Sequence, residues 1–176
     1  MKSLPSDLEI RRLNGTDAEA FQVLRRELTT DNPVPMGLTL DEEMARTLEG
    51  FRDQLSYPEP NAAFGAFVSG SLVGTAAVAW PSKLLSSRHK TNLWGVFVSP
   101  RCRRRGLGRA LVLRAVGHAF ENGVRRVNLQ VYVPNTEAVS LYASLGFVQC
   151  GFEPEAVCLH GVYHDGIYMS LQRNEA

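Results

Sequence analysis

Val96-Phe97-Val98-Ser99-Pro100-Arg101-Cys102-Arg103-Arg104-Arg105-Gly106-Leu107-Gly108-Arg109 is the run on which the reading of this chain turns. The stretch from Asn92 to Ser99 is apolar, β-branched and aromatic, the composition of a strand, and Pro100 stops it. A basic loop with two spaced glycines follows, and a helix opens at once. From Gly108 to Asn122, Leu111, Val112, Ala115, Val116, Ala119 and Phe120 recur at helical spacing, and Gly123 stands where a left-handed C-terminal residue belongs. Free N–H groups at a helix N-terminus, with the helix dipole behind them, favour a bound anion. Gly106 and Gly108 carry no Cβ to hold a diphosphate off the backbone, and arginine side chains add forked hydrogen bonds to phosphate. Two other phosphate loops do not fit. There is no GxxxxGK followed by Ser or Thr, and Leu111 occupies the place of a third dinucleotide-binding glycine.

Outward from this run, Val127–Val133 alternates cleanly between apolar and polar residues and predicts another strand. Asn135 or Thr136 caps a helix that runs through Leu145 and ends at Gly146, and Phe147–Phe152 and Gly166–Leu171 close the chain as strands. Upstream, Leu8–Arg12 reads as a first strand and Ala18–Leu28 as a helix carrying Phe21, Leu24 and Leu28. A second helix is expected from near Asp41, capped by Thr39 or Asp41 and carrying Met44, Leu48, Phe51 and Leu55. Phe64–Val68 and Leu72–Trp80, joined by Ser69-Gly70-Ser71, form a hairpin signal. The order β-α-α-β-β-β-α-β-α-β-β combines antiparallel hairpins with one right-handed parallel crossover, which predicts a mixed central sheet with helices on both faces.

With 176 residues, 44% hydrophobic and 21% charged, the chain has the length and balance of a single globular domain spanning 1–176. A formal net charge of +1 argues against a nucleic-acid partner, and no aromatic interleaves the arginine cluster. Cys102, Cys150 and Cys158 form no CxxC pair, in keeping with a reducing cytoplasm, and no cysteine nucleophile or metal-ligand spacing emerges. No apolar run is long enough to span a bilayer, so no membrane partner is expected.

Arg103-x-x-Gly106-x-Gly108 behind a strand ending in Val98-x-Pro100 resembles the acetyl-CoA signature of the GNAT superfamily of N-acetyltransferases. Asn135-Thr136-Glu137-Ala138-Val139-Ser140-Leu141-Tyr142-Ala143-Ser144-Leu145-Gly146-Phe147 resembles that family's N-x-x-A-x-x-L-Y-x-x-x-G-F segment at the family's distance downstream. The resemblance implies an α/β mixed-sheet GNAT acyl-CoA N-acyltransferase fold. It also implies an acyltransferase that moves acetyl from acetyl-CoA, with no metal, to the primary amine of a small molecule or peptide. The expected route is direct attack in a ternary complex, and a homodimer is compatible with the family.

By the same resemblance, Val96, Phe97 and Val98 hold the pantetheine arm, with the Val98 N–H polarising the thioester carbonyl. Arg103, Arg104, Arg105, Gly106, Leu107, Gly108 and Arg109 cradle the diphosphate, Asn135 contacts the coenzyme, and Tyr142 both lines the coenzyme site and is the general acid that protonates the leaving thiolate. Asn135 fits a plain helix cap equally, and Tyr142 a core position. In one respect the sequence departs from the family. Many members place a glutamate base five residues before the asparagine, where this chain has Gln130, which cannot accept the ammonium proton. Glu27, Glu42, Glu43, Glu153, His89 or a water chain remain as routes for that proton, and a catalytically weak acetyl-CoA sensor remains as the alternative function.

Overall fold

The computed structural model describes residues 4–173. Its strands are β1 (Glu9–Arg12), β2 (Ala62–Val68), β3 (Ser71–Ala79), β4 (Lys90–Val98), β5 (Arg126–Tyr132), β6 (Val148–Leu159) and β7 (Val162–Gln172), and its helices are α1 (Ala18–Asp31), α2 (Leu40–Ala45), α3 (Leu48–Leu55), α4 (Leu107–Glu121) and α5 (Thr136–Ser144). The strands form one sheet in the order β1-β2-β3-β4-β5-β7-β6. Neighbours are antiparallel except β4 and β5, which are parallel and joined through α4 as the sequence predicts.

Both faces of the sheet are covered. On β2, Phe64 and Ala66 point into the larger core with Leu111, Val112 and Ala115 of α4, whereas Ala63 and Phe67 pack into a second core with Phe21 of α1 and Phe51 and Leu55 of α3. Successive strand residues face opposite sides, so a strand apolar at nearly every position is one that needs a cover on each face.

The parallel pair is short. β4 and β5 are in register only at Lys90↔Arg126, Thr91↔Val127 and Asn92↔Asn128. Beyond Asn92 they part. The cause is local to β4: Gly95 adopts φ +61°, the register with β3 shifts between Thr75 and Ala77, and the buried Thr75 hydroxyl donates to the Gly95 carbonyl at 2.8 Å. The extra residue of this bulge bends β4 away from its parallel neighbour.

Two expectations are corrected. The helix expected from near Asp41 through Leu55 is two helices. Thr39 caps α2 in a reciprocal box with Glu42, and Thr47 caps α3, its hydroxyl accepting from the Gly50 N–H at 3.1 Å. Threonine followed by a glycine three residues on offers the backbone a cap in place of a continued turn. Met44, expected on the apolar face, is consequently exposed while Phe51 is fully buried. The final strands are also much longer than their sequence pattern. β6 lies at the sheet edge and is exposed along most of its length, so selection for alternation is weak there. Its register with β7 shifts between Glu153 and Val157, and the hairpin closes through left-handed His160 and Gly161.

Candidate active site

Where β4 parts from β5, a cleft of about 440 Å3 opens between the end of β4, the start of α4, α5 and the end of α1. It is lined by Val96, Phe97, Val98, Arg103, Arg104, Gly106, Leu107, Gly108, Arg109, Asn135 and Tyr142, so the fold brings together every residue expected to touch the coenzyme except Arg105. Arg105 is exposed outside the cleft, and its charge helps hold the Asp7 carboxyl below the usual carboxylate range, behind the larger contribution of the Ser69 hydroxyl.

The backbone of this cleft is prepared for an acceptor-rich ligand. The Ser99 N–H donates to the Val73 carbonyl on β3 at 2.8 Å, so by strand alternation the Val98 N–H faces the gap left by β5. Phe97, the residue before it, pairs with Thr75 of β3 and also lines the cleft. At the helix start, the Leu107, Gly108 and Arg109 N–H groups find no backbone acceptor among the described residues, no side chain caps them, and the first bonded amide is that of Ala110, which donates to the Gly106 carbonyl at 3.0 Å. The loop before them is folded by left-handed residues at Arg104 (φ +61°) and Gly106 (φ +81°). Glycine takes that conformation freely, whereas arginine is held in it at a cost of about 1 kcal/mol or more. Gly108 is different. A Cβ there would meet only Leu141 at 3.5 Å and Val98 at 3.8 Å, ordinary contacts, so its bareness opens the cleft wall without serving the fold.

The arginines divide in function. Arg103 is a brace, donating through Nε to the Val98 carbonyl at 3.1 Å and through Nη2 to Asp31 of α1 at 2.9 Å. Arg109 reaches the Ser144 hydroxyl at 3.1 Å. The Arg104 side chain makes no hydrogen bond or ion pair with the described residues. The Asn135 side-chain oxygen accepts from the Ala138 N–H at 3.2 Å, so it is a helix cap whose amide nitrogen is still available to the cleft. Tyr142 is buried edge-on against Phe147, ring centroids 5.6 Å apart, and burial raises its phenol pKa far above the ordinary value, keeping it protonated.

A second cleft of about 460 Å3 lies between β4 and β5. It shares Pro35, Met36 and Phe97 with the first, so the two meet there. Its floor carries Arg25 and Arg46, and its far wall Asn128, Gln130, Tyr132 and Tyr168. Gln130 donates to Glu153 Oε2 at 2.9 Å, and the Tyr168 hydroxyl donates to the same oxygen at 2.5 Å. That bond raises the Tyr168 pKa, and burial raises that of Tyr132.

The carboxylates left open by the sequence thereby separate. Glu43 is fully buried in a two-point pair with Arg25, Glu42 closes the α2 cap, and Glu27 accepts from Ser99 and Arg101 beside the basic loop. His89 is exposed, and its carbonyl accepts from Arg125 and Arg126 at the closed end of the β4–β5 pair. Glu153 alone of these touches residues that line the second cleft's far wall. Sequence reasoning missed Arg25, Arg46 and Tyr168. The only signal available was the strand register, Gln130↔Tyr168, which the sequence pattern does not carry.

The family model described as "Acetyltransferase (GNAT) family" matches residues 21–147. A mycothiol acetyltransferase of Thermobispora bispora is 33% identical over 151 residues, which take in 83% of this chain and 48% of that protein, so the chain spans about half the length of such relatives. A streptothricin acetyltransferase of Streptomyces lavendulae is 28% identical over 189 residues, covering 94% of this chain and 95% of that one. In fold, the chain is similar to a GNAT superfamily phosphinothricin acetyltransferase of Sinorhizobium meliloti solved in complex with AcCoA, with a TM-score of 0.83 at 20% identity over 94% of this chain and 88% of that chain.

Proposed function

The chain belongs to the GNAT acetyltransferase family, and from that premise we propose that it works as one acetyltransferase domain over 1–176, moving acetyl from acetyl-CoA to a primary amine by direct attack in a ternary complex. One observation carries this reading. Two clefts, one backbone-lined and basic, the other lined by polar side chains, meet at Phe97 where β4 leaves β5.

The coenzyme fits the first cleft by its chemistry. Bound there, acetyl-CoA supplies an activated acyl group. The free amides of Leu107, Gly108 and Arg109, with the Arg104 guanidinium, receive the diphosphate, the Val98 N–H polarises the thioester carbonyl, and the Asn135 amide nitrogen donates to the pantetheine arm. The second cleft holds the amine. As the amine nitrogen bonds to the carbonyl carbon, the carbon–sulfur bond breaks and the electron pair leaves on sulfur. Tyr142, which lines the coenzyme cleft, gives that sulfur a proton and regains one from solvent, to which the acetylated nitrogen sheds its second proton. The amine's own proton passes to the Tyr168 oxygen as Tyr168 hands its proton to Glu153, so a carboxylate from β6 replaces the one absent at Gln130.

Release of free thiol from acetyl-CoA, measured against amino acids, polyamines, aminoglycosides and peptide N-termini, tests the reading. Thiol release dependent on at least one amine is expected. Coenzyme binding with no thiol release from any acceptor would favour the sensor alternative, for which Gln130 is the specific observation.

A further inference from the structure

The floor of the second cleft holds an uneven set of charges. Arg25 donates through Nε and Nη2 to the two oxygens of Glu43, both at 2.8 Å. That pair is complete, with Arg25 side-chain exposure of 5% and Glu43 of 0%. Arg46 approaches the same carboxylate only to 3.6 Å and is 31% exposed. Two guanidiniums around one carboxylate leave one positive charge over, and it emerges at Arg46, the more exposed of the two arginines on the cleft floor.

Arg46 is also held in place. Its guanidinium stacks over the Phe51 ring at 4.2 Å and donates to the Gln54 side-chain oxygen, which fixes its plane and leaves donors unused. A fixed guanidinium edge matches a carboxylate by two parallel hydrogen bonds. No carboxylate lines the cleft to offset it. Burial and the neighbouring Arg25 both push the Arg46 pKa down, the condition of a cation short of countercharge. A second arginine beside a finished buried pair is unfavourable for folding alone, since covering Phe51 requires no charge. An anion arriving from outside completes the set.

The other wall has the opposite character. Glu153 stands behind Gln130 and Tyr168, so the cleft is positive at Arg46 and negative toward Glu153. We infer that this cleft selects an amine acceptor that also bears a carboxylate, seated on Arg46 while the amine lies toward Tyr168 and Phe97. The inference rests on the acetyl-transfer reading above and narrows it: amino-acid-like acceptors are favoured, and polyamines are repelled.

The test uses matched pairs, each an α-amino acid and its carboxamide, on the whole chain, with coenzyme A present for calorimetry and acetyl-CoA for kinetics. The amide has the less basic amine, so its larger free-base fraction works against the expected result. Calorimetry and steady-state kinetics are read together. Acids are expected to bind and react roughly 10- to 100-fold better than their amides, the span of one hydrogen-bonded charge pair. In Arg46→Gln that preference collapses, chiefly through KM for the acid, while acetyl-CoA affinity is unchanged; Arg46→Lys restores part of it. Equal use of acids and amides by the unaltered chain, or an acid preference that survives in a folded Arg46→Gln, overturns the subsite. Acids that bind in preference to amides yet are never acetylated uphold the subsite and sink the transfer reading. Polyamines accepted as well as amino acids overturn the charge argument.

Discussion

The two clefts that meet at Phe97 are made of different material. The first presents main chain: free amides of one strand and one helix start, in the single stretch from Val96 to Arg109, with side chains of α1 and α5 closing it round. The second is made of side chains delivered from α1, the link between α2 and α3, β4, β5 and β7, with Glu153 of β6 behind. A ligand common to a whole family can be gripped by backbone, which every chain possesses. A ligand that distinguishes one member from another has to be read by side chains, and those are free to come from anywhere the fold permits.

If this contrast is right, substitutions should behave differently in the two halves. The largest effect is expected from Gly108→Trp, whose indole would fill the cleft wall and abolish coenzyme binding by calorimetry while the chain stays folded by circular dichroism; retained binding would remove the cradle. Next, Glu43→Gln leaves Arg25 and Arg46 without their shared carboxylate, and loss of one partner from a buried ion pair destabilises by about 3–5 kcal/mol, read as a lower urea midpoint. The floor of the acceptor half is thus expected to be structural where the wall of the coenzyme half is not. Tyr142→Phe should reduce kcat on the order of 10²-fold with little change in coenzyme affinity, and unchanged turnover would dismiss Tyr142 as the acid. Smallest of all, Gly108→Ala should shift stability by less than about 0.5 kcal/mol, because its Cβ meets nothing closer than 3.5 Å.

The same contrast governs what the sequence disclosed. The strand–loop–helix turn could be read because its requirements are local: Pro100 as a stop, Gly106 in a left-handed conformation, Gly108 bare, and an apolar helix face immediately after. Within that legible run the bulge at Gly95 was hidden, since a glycine inside a β-branched strand does not announce its φ. The left-handed Arg104 was hidden for a stronger reason, as nothing marks a non-glycine residue for that region. The second cleft was out of reach. Glu153 meets Gln130 across 23 positions and Arg25 meets Glu43 across 18, and both meetings depend on irregular geometry: the register shifts of β6 on β7, and the Thr47 cap that splits one expected helix into two. Side-chain encounters set by bulges and caps have no periodicity to read.

The short β4–β5 pairing has a mechanical meaning as well. Three residue pairs are a thin seam on which to hang β1 to β4 on one side and β5 to β7 on the other, with α4 the chain connection between β4 and β5. A pantetheine arm lying along Val98 would act as a stitch, supplying across the gap what a neighbouring strand supplies elsewhere. Cosubstrate occupancy then becomes part of the protein's cohesion: at a hundred times Kd it adds about 2.7 kcal/mol to the folded state. The slowing should concentrate in the amide hydrogen exchange of β4 beyond Asn92, the part of the strand that its parallel neighbour leaves unpaired.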